Sequence, residues 1–205
     1  MADLFAGKVL VSNGRERHEL DTERELSRRL ENRLLLLYFG AAGCPRCRDF
    51  SPVLRDFFVR LTDEFYVARA CQLALVYVPG SGSEEQEDGF LLDMPRKWLT
   101  LPFGERGFKR ELAWKFGVEE IPAVVVLKPS GAVISRNAVE EIRRLGPPCF
   151  QNWQESGDLL DRSFLPAEFF DDPAGRSVTD PLRRPKYKLK AERQGGEGGE
   201  TKGLF

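Results

Sequence analysis

The stretch from Leu34 to Pro52, LLLLYFGAAGCPRCRDFSP, decides the architecture. Leu34 to Phe39 is an apolar run without alternation, which predicts a strand covered on both faces and bounded by Gly40. From Cys44 onward, Phe50, Val53, Leu54, Phe57, Phe58, Leu61 and Phe65 fall at helical spacing. A long helix is therefore expected over Cys44 to Phe65, with a kink at Pro52. Two cysteines thus sit where a buried strand turns into a helix. Unpaired backbone N–H groups and the positive end of the helix dipole favour a thiolate at Cys44. Arg46 and Arg48 add positive charge in the same sense. Pro45 stiffens the first turn, where its missing N–H costs little. Cys47 follows one turn later, close enough to attack a mixed disulfide. Cys44 reads as the exposed attacking thiol and Cys47 as the shielded, resolving one.

Outward from this stretch the chain alternates strands and helices. Lys8 to Val11 reads as a short strand ended by Asn13-Gly14. Thr22-x-x-Glu25 is a capping box opening a helix that carries Leu26 and Leu30. Leu73 to Val78 is a second buried strand. The acidic patch Glu84 to Asp88 begins a helix, shows no metal-ligand pattern and is assigned no function. Met94 to Phe103 is irregular and rich in large apolar groups, and Glu105 to Phe116 is helical. Ala123 to Leu127 is a strand, Pro129-Ser130-Gly131 a turn and Ala132 to Ser135 its hairpin partner. Two last helices are expected over residues 138–145 and 149–162. The order implies an α/β fold with a central mixed β-sheet flanked by helices on both faces. One domain is expected over residues 1–165. Residues 166–205, rich in proline, glycine and basic groups, have too little apolar surface to offset ordering entropy and read as a disordered tail. Within it, the basic run Arg183 to Lys190 is read as solvated rather than as a nuclear-import signal or a contact to anionic membrane.

Composition narrows the function classes. The 205 residues carry 31 Lys+Arg against 32 Asp+Glu, a formal net charge of -1, so nothing draws the chain toward nucleic acid. His18 is the single histidine, which all but removes Ser-His-Asp, Cys-His and multi-histidine metal chemistry. Met1 to Val11 has no signal-peptide pattern, and the longest apolar block is far short of a membrane span. A soluble, intracellular, thiol-reducing setting is expected, where a close cysteine pair is catalytic or metal-binding more often than structural. Zinc needs two further ligands, and Cys71 and Cys149 are isolated in apolar surroundings. Both read as small buried residues, so neither metal nor cofactor is expected. Ile121-Pro122 precedes a strand and is a candidate cis peptide. Trp98, Phe103, Trp114 and Phe116 read as core in preference to an apolar partner surface.

Pro52, eight residues after Cys44, and Ile121-Pro122 give residues 5–165 a resemblance to the thioredoxin superfamily. The segment from Cys44 to Pro52 and the pattern Met94-Pro95-x-x-Trp98-Leu99-x-Leu101-Pro102-Phe103 resemble its tryparedoxin/nucleoredoxin branch. Leu20-Asp21-Thr22-Glu23 and Arg28 to Arg33 extend the resemblance to members of that branch from retinal photoreceptors. It implies a thioredoxin-like fold, catalytic Cys44 and Cys47, and substrate contacts from Gly43, Pro45, Arg46, Ile121 and Pro122. It also implies protein disulfide or thiol clients, protection from oxidative stress, support of cone survival, and partnership with basigin and a glucose transporter. Photoreceptor cytoplasm, including the outer segment, is the implied location. Two positions depart from the superfamily pattern. Gly43 replaces the aromatic residue before the first cysteine, and Tyr38 replaces the buried acid six residues before it. A phenol is a poor base near pH 7, so low intrinsic reductase activity is expected. The alternative is a trophic module acting through partner binding.

Overall fold

The computed structural model describes residues 2–14, 16–20, 23–63, 72–80 and 82–157, all within the first of two compact units, Met1–Leu160. The expected tail and domain boundary, the Thr22 cap, Phe65 and Cys71 lie outside the described residues.

A 3-10 turn, Ala2–Phe5, leads to strands β1 (Leu10–Ser12) and β2 (Glu19–Leu20), helix α1 (Glu23–Leu30) and strand β3 (Leu34–Gly40). Then follow α2 (Pro45–Thr62), β4 (Leu73–Pro79), α3 (Glu84–Leu92), β5 (Leu99–Thr100) and α4 (Arg106–Phe116). Strands β6 (Ala123–Leu127) and β7 (Val133–Ser135) and helices α5 (Val139–Leu145) and α6 (Cys149–Ser156) complete the order. The seven strands form one mixed sheet in the order β2-β1-β5-β4-β3-β6-β7. Strand β3 lies parallel to β4 and antiparallel to β6, with Tyr38 opposite both Tyr77 and Val124.

The unalternating run is explained by the two layers it serves. Successive side chains of a strand point to opposite faces. Leu34, Leu36 and Tyr38 join Phe50, Leu54, Phe58, Ile142 and Trp153 on one side. Leu35, Leu37 and Phe39 join Leu26, Leu30, Phe108, Leu112 and Phe116 on the other. Each Leu so covered contributes about 1.5–3 kcal/mol relative to an exposed one. All seven residues of β3 are buried as a result.

Several boundaries differ from the sequence expectation. The first strand pairs over Leu10–Ser12, helix α2 runs from Pro45 to Thr62, and α6 ends at Ser156. The segment read as irregular contains β5, which pairs with β1 on one side and β4 on the other. Two-residue strands carry no periodicity, so only their neighbours define them. Trp98 and Phe116 are core, whereas Trp114 is 87% exposed.

Helix α3 starts on the Ser83 side chain, which accepts the Gln86 N–H at 3.3 Å. Its other end is held by the Asn13 side-chain amide, which donates to the carbonyls of Leu91 (2.8 Å), Met94 (3.1 Å) and Pro95 (3.3 Å). Replacing this donor removes the side-chain partner of the Met94 carbonyl, while the Leu91 and Pro95 carbonyls still accept the Met94 and Trp98 N–H groups. Asn13→Ala is expected to cost about 1–3 kcal/mol, read as a lower urea midpoint with an unchanged slope.

Candidate functional site

Strand β3 delivers the chain to a four-residue turn closed by Cys44 N–H donating to the Ala41 carbonyl at 3.1 Å. Cys44 then caps α2 in an extended conformation, φ -85° and ψ 119°, and its carbonyl accepts the Arg48 N–H at 3.0 Å. Pro45 occupies the first helical position, where no N–H is needed. Cys44 is partly exposed and Cys47 fully buried, and both are free thiols.

The two thiols are held in opposite senses. At Cys44, desolvation pushes the pKa up, but the Cys47 N–H and thiol, the Arg46 N–H and the Arg46 charge outweigh it, and the net shift is downward. Burial pushes Cys47 up to about 12, partly countered by hydrogen bonds from the Ala41 N–H and the Tyr38 hydroxyl. Arg48, one helical turn after Cys44, lines a cavity of about 580 Å³ together with Gly43 and Pro52.

The Ile121-Pro122 peptide is cis. Glu120, just before it, forms an ion pair with Arg46 at 2.9 Å, so the start of α2 and the cis-proline loop meet across exposed charge. Arg46 and Pro122 line one cavity of about 370 Å³. Ile121 belongs to another, of about 660 Å³, with Gly40, Gly80, Phe103 and Arg106. Of the expected contact residues, Pro122 and Arg46 are therefore together, while Gly43 and Ile121 face separate clefts.

Tyr38 is fully buried, and its hydroxyl pairs with Ser51 Oγ at 2.9 Å, which in turn donates to the Cys47 carbonyl at 2.6 Å. Burial holds its pKa above the ordinary tyrosine value, so the phenol stays protonated and is no proton acceptor near neutrality. Sequence reasoning missed the carboxylate that does lie close by. Glu87, from the acidic patch assigned no function, is 3% exposed. Its available signal was Leu91, four residues on and therefore on the same buried face of α3.

Cys149 is free and buried, and desolvation pushes it up to about 12, as suits an inert core thiol. Among the described residues, no group of three or more His, Cys, Asp or Glu side chains is placed to hold a metal ion. Among them also, no helix is long and apolar enough to cross a membrane.

Residues 32–133 match the family described as thioredoxin-like. The chain is 58% identical to nucleoredoxin-like protein 1 of Mus musculus over 205 residues, 99% of this chain and 94% of that one. Its identity to nucleoredoxin-like protein 1 of Homo sapiens is 57% over 196 residues, 96% of this chain and 92% of that one. Among solved structures, tryparedoxin from Trypanosoma brucei superimposes with a TM-score of 0.58 at 28% identity, covering 72% of this chain and 92% of that one.

The downward shift at Cys44 has a direct readout. In the reduced protein, alkylation by iodoacetamide should be fastest at Cys44 and level off at a lower pH than for an ordinary thiol. Arg46→Gln removes one lowering influence and should move that midpoint upward, measured by mass spectrometry of labelled peptides across pH.

Proposed function

The chain belongs to the nucleoredoxin-like protein 1 family within the thioredoxin superfamily, and from that membership we propose that it is a thiol-disulfide redox protein using Cys44 and Cys47. The observation that carries this reading is the pairing of a helix-capping thiol of lowered pKa with a buried thiol one turn away. The Cys44 thiolate attacks a client disulfide, forming a Cys44–client bond and releasing one client thiolate. Cys47 then attacks the Cys44 sulfur, loses its proton to water and releases the second client thiolate. The client gains two electrons, the pair becomes a disulfide, and an external thiol must reduce it again. Gly43, Pro45, Arg46, Ile121 and Pro122 are the residues we assign to client contact, within a redox domain spanning residues 1–165. With Tyr38 protonated behind Cys47, turnover is slower than in a thioredoxin that keeps the buried acid.

A second reading has its own observation. Trp114 is 87% exposed on α4, away from any need of the core. In this reading the scaffold supports cone photoreceptors through partner binding, with basigin and a glucose transporter as the partners. Calorimetric titration with purified basigin separates the two. Binding lost in Trp114→Ala and kept when Cys44 and Cys47 are both serine supports the module. No binding by the wild type removes it.

The redox reading is tested by equilibrating the full chain in graded glutathione buffers and alkylating the free thiols. A reversible two-electron transition at roughly −200 to −300 mV is expected, abolished by Cys44→Ser, with clients trapped as mixed disulfides by Cys47→Ser. If no disulfide forms across that range, the catalytic reading falls.

A further inference from the structure

The redox reading leaves Glu87 without a role, yet its carboxylate is buried and fully engaged. Oε1 accepts the Ala42 N–H at 2.8 Å, and Oε2 accepts the Tyr77 hydroxyl at 2.6 Å. A charge removed from water is costly unless hydrogen bonds replace its hydration. Here one of the two donors is the backbone of the cysteine turn itself. The carboxylate belongs to α3, whose Gln86, Gly89 and Phe90 also line a cavity with Ala42 and Gly43 of that turn.

The peptide groups of this turn are pinned one after another. Gly80 N–H donates to the Gly40 carbonyl at 2.7 Å, and the N–H of the same peptide group, that of Ala41, is directed at the Cys47 sulfur. In the next peptide group the Ala41 carbonyl accepts the Cys44 N–H at 3.1 Å, while the Ala42 N–H goes to Glu87. Releasing Glu87 frees one end of that second group and leaves the two groups held only at their carbonyls, by the Cys44 and Gly80 N–H groups.

We infer that Glu87 is a positioning residue for the resolving step: by holding the Ala42 N–H it keeps the neighbouring Ala41 N–H aimed at Cys47, and so sets how readily Cys47 attacks the mixed disulfide on Cys44. The inference rests on the redox reading of the pair. In that step the Cys47 sulfur bonds to the Cys44 sulfur, the bond from Cys44 to the client breaks, and the client sulfur departs as a thiolate. Charge gathers on Cys47 as its proton leaves for water, and the Ala41 N–H meets it together with the Tyr38 hydroxyl.

Ellman's reagent supplies a disulfide probe whose two thiolates absorb visibly. Attack by Cys44 releases the first, and resolution by Cys47 releases the second, which Cys47→Ser lacks. Glu87→Ala should slow the second release tenfold or more while the first stays within twofold of wild type. Glu87→Gln, whose amide oxygen can still accept the Ala42 N–H, should recover to within threefold. Ala42→Pro replaces the N–H by a ring carbon that also displaces the Glu87 carboxylate, at the second position of the turn, where φ is negative. It should slow the second release as Glu87→Ala does, and it carries the test if Glu87→Ala fails to fold. An unchanged second release in Ala42→Pro overturns the inference, and so does a Glu87→Gln protein as slow as the alanine variant, because charge rather than the anchor would then matter. A wild type that releases one thiolate per chain overturns the redox pair itself, and the inference with it.

Discussion

Strand β3 has water on neither side, and that double burial sets the terms for the site. Its odd and even residues enter different apolar layers, so a shift of one residue would exchange both sets at once. The register is therefore strongly specified, and with it the point at which the chain leaves the sheet. That point is Gly40, and four residues later Cys44 caps the longest helix among the described residues. The apolar stripe of α2 then has one way to lie on the sheet, through Phe50, Leu54, Phe57 and Phe58. Fixing the stripe fixes the phase of the helix, which turns Cys47 inward and leaves Cys44 at the rim.

From that placement the contrast between the thiols follows without further design. The helix start offers Cys44 unpaired N–H groups and the Arg46 charge, both of which favour its thiolate. One turn on, Cys47 has lost its water and keeps the Ala41 N–H and the Tyr38 hydroxyl as partial compensation. The two thiols are close, so ionising one opposes ionising the other. Tyr38 reinforces the asymmetry. A phenol buried beside Tyr77 and Phe50 supplies a hydrogen bond but cannot take up a proton near neutrality.

Features encoded by contiguous residues were readable in the sequence. The buried run, the helical spacing after Cys44, the cysteine pair and the Ile121-Pro122 peptide are all local patterns, and all appear where expected. Features that depend on distant partners were not. Strand β5 exists because β1 and β4 present edges on either side of it. Glu87 looked like one more solvated acid in a run of them. Only the seating of α3, held by Asn13 at one end and by the Arg17–Asp88 ion pair on its flank, turns that single member inward.

The tyrosine at position 38 also constrains what surrounds it. A Cβ built on Gly40 would stand 2.8 Å from Tyr38 Cζ and 2.9 Å from its hydroxyl oxygen, so the ring fills the space that a side chain there would need. Gly80 is similarly confined, since its Cβ would meet the Gly40 carbonyl oxygen at 3.1 Å and the Ala41 Cβ at 3.2 Å. The end of β3 and the residue after β4 thus approach closely because both are glycines, and the Gly80 N–H reaches the Gly40 carbonyl as a consequence. Replacing a small buried acid by tyrosine is therefore not an isolated exchange at one position. It commits the strand end to glycine and gives the space behind Cys47 to an aromatic cluster. The nearby carboxylate then has to come from another element, and α3 is the one that brings it.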